Sequence, residues 1–480
     1  MDWGQRARDW RWELRQRLRR RRDLRETEAM QRETDAHDNA EVALPDAERI
    51  EWHSFWLVEL YLPSHAEALK AGLKRLQKGE SSLFHSQEPT EWLSRARSWS
   101  GGYWRVGHFS NRRDSSLSQG YRVDLPKTFK GMSAELKQVA PGVTAMIMNF
   151  DLAKEKVGCL QQVMEERFET KAVPIPGRPG GQNIFGPEHR KEDHLAEVRG
   201  EVRRAAKGWL RDWVPGLFIQ LEVEVPSWDL ITSEREGLFE ERTERSERWR
   251  EALGLGNLFR QWESVDLPGL LIGVPHNDRS GAVPTVTARK EAAESLASES
   301  HYQDGMPGFL SLADSAVSDL WTIWAFRDAI EAYGQRFTDV RDQLGAPNKR
   351  FGSNRRLKRL RNEVMPLSFD LQTCGEAAAN QQALAQAYRR SGVEFSPLDF
   401  KVGEKKQSVK RPKQPLRAVI QEQIEERGTS IAEQGQAITE GLRVQGELLL
   451  AATNVRLQWI LMLLTIAVGL ASVVATLAAN

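Results

Sequence analysis

Residues Leu457 to Ala479 read LQWILMLLTIAVGLASVVATLAA and carry no charged side chain. As a helix, 23 residues at the usual rise reach about 34 Å, enough for a hydrocarbon core about 30 Å thick. A buried helix of a water-soluble domain is usually shorter and keeps a polar face, and this segment has neither feature. The expectation is therefore one C-terminal transmembrane helix. Trp459 sits near its start, where an interfacial aromatic ring is favoured. Arg443 and Arg456 precede it, no charged side chain follows, and residues 1–25 contain no apolar signal-peptide core. These features point to a tail-anchored protein with its N-terminus and body in the cytoplasm. The two cysteines, Cys159 and Cys374, lie far apart without a CxxC partner, which fits a reducing compartment.

With 68 Lys and Arg against 67 Asp and Glu, the net charge of +1 makes nucleic acid an unlikely partner of the whole chain. The charges are segregated. Residues 1–25 carry ten Arg against four acids, a net of +6, and residues 26–51 carry nine acids against two Arg, a net of −7. Trp3, Ala7, Trp10, Leu14 and Leu18 follow helical spacing, with Arg17 and Arg19 to Arg22 on the remaining faces. Such an arm suits docking on an acidic surface of this chain or of a protein partner, or on anionic lipid. Sixteen tryptophans are expected mainly to fill cores.

Between residues 51 and 290 the pattern is that of an α/β domain, a layered mixed sheet with helices. Strands are expected at 52–62, 143–150, 219–225, 270–274 and 283–287, and helices near 64–78, 127–139, 152–169, 190–213 and 237–252. Residues 291–400 read as a stalk of long helices. Ser311 and Asp314 form a capping-box pattern, and apolar residues at 4-3 spacing then predict one helix to residue 344. A second helix is expected from Pro366 to about Arg390. Residues 401–415 form a basic linker, and 416–456 a coiled-coil-like helix. Its seam, Ile424, Gly428, Ile431, Gly435, Ile438, Leu442 and Leu449, alternates by 4 and 3 apart from one skipped position. Glycines in that seam admit close approach of a second helix, within the chain or between protomers. In the apolar segment Ala467, Ala471 and Ala475 form a small-residue ridge on another face. Two packing faces suit a homo-oligomeric bundle.

In general plan the chain resembles the CorA-type magnesium channels, in which an α/β cytoplasmic domain, long stalk helices and C-terminal membrane helices follow in this order. That family has two membrane helices and a Gly-Met-Asn signature at the pore mouth. Here there is one apolar segment and no such tripeptide near it, so no functional residue carries over.

No phosphate-binding loop, nucleophile elbow, zincin motif or calcium loop occurs, and the sequence names neither a catalytic residue nor a cofactor. Gly254-Leu-Gly256 follows a helix and lacks the third glycine of a dinucleotide fingerprint. In the Glu188–His194 cluster the two histidines are five residues apart and point to different helix faces; His189 with Asp193 is a usable i,i+4 pair, but two ligands fall short of a metal site. Pro275 to Asp278 follows a strand, where α/β sites often lie, but the reading favoured for it is a plain turn. The sequence thus points to a cytoplasmic sensor or scaffold domain coupled by a helical stalk to an oligomeric membrane helix. The alternatives are a single-span channel or membrane effector, and a membrane-tethered enzyme.

Overall fold

A computed structural model of the chain describes residues 29–77, 89–96, 102–111, 121–175, 177, 182–239, 244–255, 260–275, 281–299, 305–345, 367, 369–377, 393–398, 414–430 and scattered helical positions from 433 to 465. Among these, ten strands form one mixed sheet. Its centre is β1 (Ile50–Tyr61), paired antiparallel on one side with β5 (Val143–Leu152) and on the other with β8 (Ser227–Ser233). Beyond β5 lie β4 (Phe129–Ala140), β2 (Tyr103–Asn111) and β3 (Tyr121–Val123). Beyond β8 come β11 (Thr285–Arg289), β10 (Leu271–Gly273), β9 (Gln261–Ser264) and β12 (Phe395–Pro397). Only the β8–β11 and β2–β3 pairs are parallel. A separate hairpin joins β6 (Lys171–Pro174) and β7 (Gln182–Phe185) in the Pro/Gly-rich stretch.

Both faces of the sheet are covered, which makes its central strands nearly continuous apolar runs. On one face Phe55, Phe129 and Phe150 cluster, and Phe150 meets the edge of Trp209 at 6.0 Å. Trp209 belongs to α6 (Pro187–Trp213), which runs with α5 (Cys159–Glu165) and the short α7 (Leu217–Gln220) over this face. On the opposite face lies α10 (Met306–Gly345), 40 residues long. Its Trp321 stacks on Trp228 of β8 at 4.5 Å and 11°, with Trp56 of β1 6.1 Å away. Among the described residues Trp52, Trp56, Trp228, Trp249 and Trp321 are fully buried and serve the core.

Two elements differ from the sequence reading. Residues 127–139, expected as a helix, form β4, whose charged Glu135 and Lys137 lie covered on the sheet face under α10. Residues 219–225, expected as an alternating strand, instead begin within α7. The buried carboxylate of Glu59 accepts the Phe218 and Ile219 N–H groups at 2.8 and 3.3 Å and fixes a helical turn. Gly216 precedes it because an added Cβ would lie 2.5 Å from Glu59 Cγ. The strand expected to end at Pro226 begins just after it, as β8.

The region read as a free stalk packs on the sheet. Apart from α10, the helix at 369–377, here α11, is held by Asp370, which accepts from the Ser64 backbone and the Tyr333 hydroxyl at 3.3 Å each. The chain then supplies β12 to the sheet edge. A last helix at 416–430, here α12, buries Leu416, Ile420 and Ile424. The acidic stretch also docks within the chain, through Asn39, which accepts from Phe168 N and donates to Phe168 O. The basic arm, residues 1–25, lies outside the described residues.

Candidate functional site

A polar pocket of about 140 Å³ lies where the first turns of α10 cross β2, β4 and β5. Strand alternation builds its floor. Ser133 and Glu135 of β4 share a face with Ile147 and Asn149 of β5. A β-bulge between Arg105 and Gly107 of β2, with Gly107 at φ +146°, re-aims that strand beside the pocket. Arg105 pairs with Glu135 across the ladder and Tyr103 with Lys137. The roof is Ser311, Asp314 and Ser315 of α10. Helix α10 begins at Met306, so Ser311 and Asp314 are not its cap, as the sequence pattern had indicated, but interior positions turned onto the sheet.

Asp314 accepts Trp56 Nε1–H at 2.5 Å and Asn149 Nδ2–H at 3.3 Å. That contact sets the Asn149 amide, since the reverse orientation would place two oxygens against each other. Lys137, the nearest ammonium, turns from the pocket to donate to Ser318 Oγ at 2.5 Å and to Asp319. Its Nζ stays 3.6 Å from Glu135 Oε1, beyond a normal hydrogen bond. Glu135 Oε1 and Asn149 Oδ1 are thus buried without a hydrogen-bond donor among the described residues.

Burial raises the pKa of both pocket carboxyls. For Glu135 the nearby Lys137 opposes the rise, and for Asp314 the Trp56 hydrogen bond does so first. Asp151, two residues beyond Asn149 on the same face of β5, is pushed up to about 6 by burial. Tyr103 is held above the usual phenol range by burial and then by the Glu135 charge.

A pH dependence follows. Asp151 has a folded pKa above its unfolded value, so its contribution to stability is fully present below about pH 4 and is lost as pH rises through about 6. Asp151→Asn removes that loss. Relative to the parent, the variant is expected to gain stability between pH 4 and 6, levelling near 2 kcal/mol, a figure discounted because the residue is partly solvent-exposed. Urea midpoints at pH 4, 5, 6 and 7 check this, and a constant difference across the range contradicts it.

The residues singled out in the sequence lie elsewhere. Ile424 and Gly428 are buried within the chain on α12, and Trp459 is 59% exposed. The side chains of Ile431, Gly435, Ile438, Leu442, Leu449, Ala467, Ala471 and Ala475 fall outside the described residues, as do residues 256–259 and 276–280. His189 and Asp193 are exposed on α6, while His194 meets Glu166 at 3.2 Å. Among the described residues no three His, Cys, Asp or Glu are grouped to hold a metal ion. No helix among them is long and apolar enough to cross a membrane; the stretch 457–479 is described only at 457–463 and 465. Comparisons of the chain with protein-family models, curated proteins and solved structures find no match.

Ser311 and Asp314 were noticed only as a capping-box pattern, and the strand residues of the pocket were missed because none belongs to a motif. The available signal was weak: Asn149 and Asp151, two polar residues one face-repeat apart, inside the apolar run of β5.

Proposed function

We propose that the chain is a membrane-anchored sensor or scaffold. Its α/β body faces the cytoplasm and binds a small polar ligand, and its C-terminal helix carries the bound state to a homo-oligomeric bundle in the bilayer. The supporting observation is that one helix touches both ends of this route. Helix α10 roofs the pocket at Ser311, Asp314 and Ser315. About 24 Å further along, its Arg327 donates to Gln423 of α12 at 3.3 Å, and its Glu331 accepts from Arg427. Beyond α12 the chain reaches the apolar segment, where every described side chain from Leu457 to Leu463 is exposed. A run of uncovered large apolar groups on a helix marks a lipid or protein contact, and the uncharged sequence that follows favours lipid. The basic arm would supply a second contact, with a protein partner or anionic lipid.

Membrane flotation tests the anchor. The full chain is expected to rise with liposomes and to resist alkaline carbonate, whereas a chain ending at Arg456 stays at the bottom of the gradient. Release of the full chain by carbonate would overturn the reading.

A further inference from the structure

We infer that the pocket under α10 takes a small organic molecule by its primary ammonium group. This inference rests on reading the pocket as the ligand site of the sensor.

The pocket holds an excess of acceptors. Asn149 is only 7% exposed, yet its Oδ1 meets no donor among the described residues, and neither does Glu135 Oε1. A buried acceptor left without a donor is unfavourable, and both of these residues line the same pocket. The chain's own groups answer them only in part: Tyr103, Ser318 and the charge of Lys137, 3.6 Å away, support the Glu135 carboxyl, but the Lys137 hydrogen bonds go to Ser318 and Asp319 and Asn149 Oδ1 is left over. Asp314 beside them adds a second carboxyl group. What is missing is a compact group with several N–H donors and a positive charge. An ammonium brings three donors and no acceptor. Burial of the two carboxyls makes a cation the favoured counter-group, since it restores their ionised forms.

A divalent metal fits less well. Calcium takes six to eight oxygens and magnesium a near-octahedral set, and among the described residues no three His, Cys, Asp or Glu are grouped to hold such an ion. Size limits the rest of the ligand. A cavity near 150 Å³ accepts benzene, so about 140 Å³ admits on the order of six non-hydrogen atoms. Exposed Arg105 at the rim and the hydroxyls of Ser133, Ser311 and Ser315 accept a polar remainder.

Trp56 bonds Asp314 through its indole N–H, so tryptophan emission reports on the pocket wall. The test titrates ethylammonium, ethanolamine, 1,4-diaminobutane and glycine into the full chain in nanodiscs, in amine-free buffer, with tetramethylammonium, potassium and magnesium as controls. At least one primary amine is expected to saturate, and tetramethylammonium, which has no N–H, is not. Glu135→Gln and Asn149→Leu are each expected to weaken binding at least tenfold. If either variant misfolds, the contrast between primary and quaternary amines on the parent protein decides alone. The inference is overturned if no amine saturates, if tetramethylammonium binds equally well, or if magnesium or potassium competes at similar concentration. Flotation separates the two proposals: binding by a chain that fails to float removes the anchor and keeps this site, and the converse result removes only the site.

Discussion

Asp229→Leu is expected to destabilise the fold by about 3–5 kcal/mol, the usual cost of removing one partner from a buried ion pair. Asp229 sits on β8, where the register sets it against Phe55 on the α6 face of the sheet. Two arginines, one helical turn apart on α6, converge on it. Arg199 Nε approaches Asp229 Oδ2 at 3.5 Å with both side chains fully buried, and Arg203 Nη2 donates to the two carboxylate oxygens at 3.3 and 3.2 Å. Burial first pulls the Arg199 guanidinium down to about 10, with the Asp229 charge opposing that fall and the Arg203 charge adding to it. Without Asp229, the two guanidinium groups lose the carboxylate on which both converge. The urea midpoint of proteolytic resistance of the full chain measures the loss. Arg199→Met combined with Asp229→Leu is expected to recover much of it, because one of the stranded charges goes as well. A single Asp229→Leu variant that unfolds at the parent's midpoint would show that the pair contributes little.

The same contrast between patterned and unpatterned residues explains what the sequence revealed. Strands β1 and β5 were legible because WHSFWLVELYL and VTAMIMNF are apolar on both faces, and a covered sheet demands that pattern. Helix α10 was legible over most of its length because Ala316, Leu320, Ile323 and Ile330 keep helical spacing. Strand β4 was not, because Glu135 and Lys137 break the apolar pattern, and Lys137 finds its hydrogen-bond acceptors on α10, some 180 residues later in the chain. Residues 219–225 misled for the opposite reason: a clean alternation was overridden by one distant carboxylate, that of Glu59. The pocket was illegible because its parts come from three strands and a helix, none with a spacing rule. At the start of the seam Ile424 and Gly428 are buried inside the chain, next to the contacts of Gln423 and Arg427 with α10.

Trp321→Ala is expected to cost about 3–5 kcal/mol, as for other large-to-small changes of a buried aromatic residue. Its second effect concerns the route from pocket to membrane. Trp321 lies between Trp56, whose indole is bonded to Asp314, and Trp324, which meets Trp321 edge-on at 6.4 Å. Trp324 in turn lies under the Arg327 guanidinium, 4.2 Å from the ring centre. Arg327 is the residue that donates to Gln423 of α12. A close-packed stack transmits displacement because it has no slack; an alanine at its centre introduces slack. The expected result is a reduced contact between α10 and α12 as well as a lower melting temperature. Glu331→Cys with Arg427→Cys places two thiols where an ion pair stands, and the yield of the oxidised link reports that contact. Trp321→Ala should lower the yield at least twofold under conditions where the protein remains folded. Trp321→Phe, which keeps a ring in the stack, should lower it much less. An unchanged yield beside a lowered melting temperature would make the tryptophan cluster a core and nothing more, and the pocket would then need another path to α12.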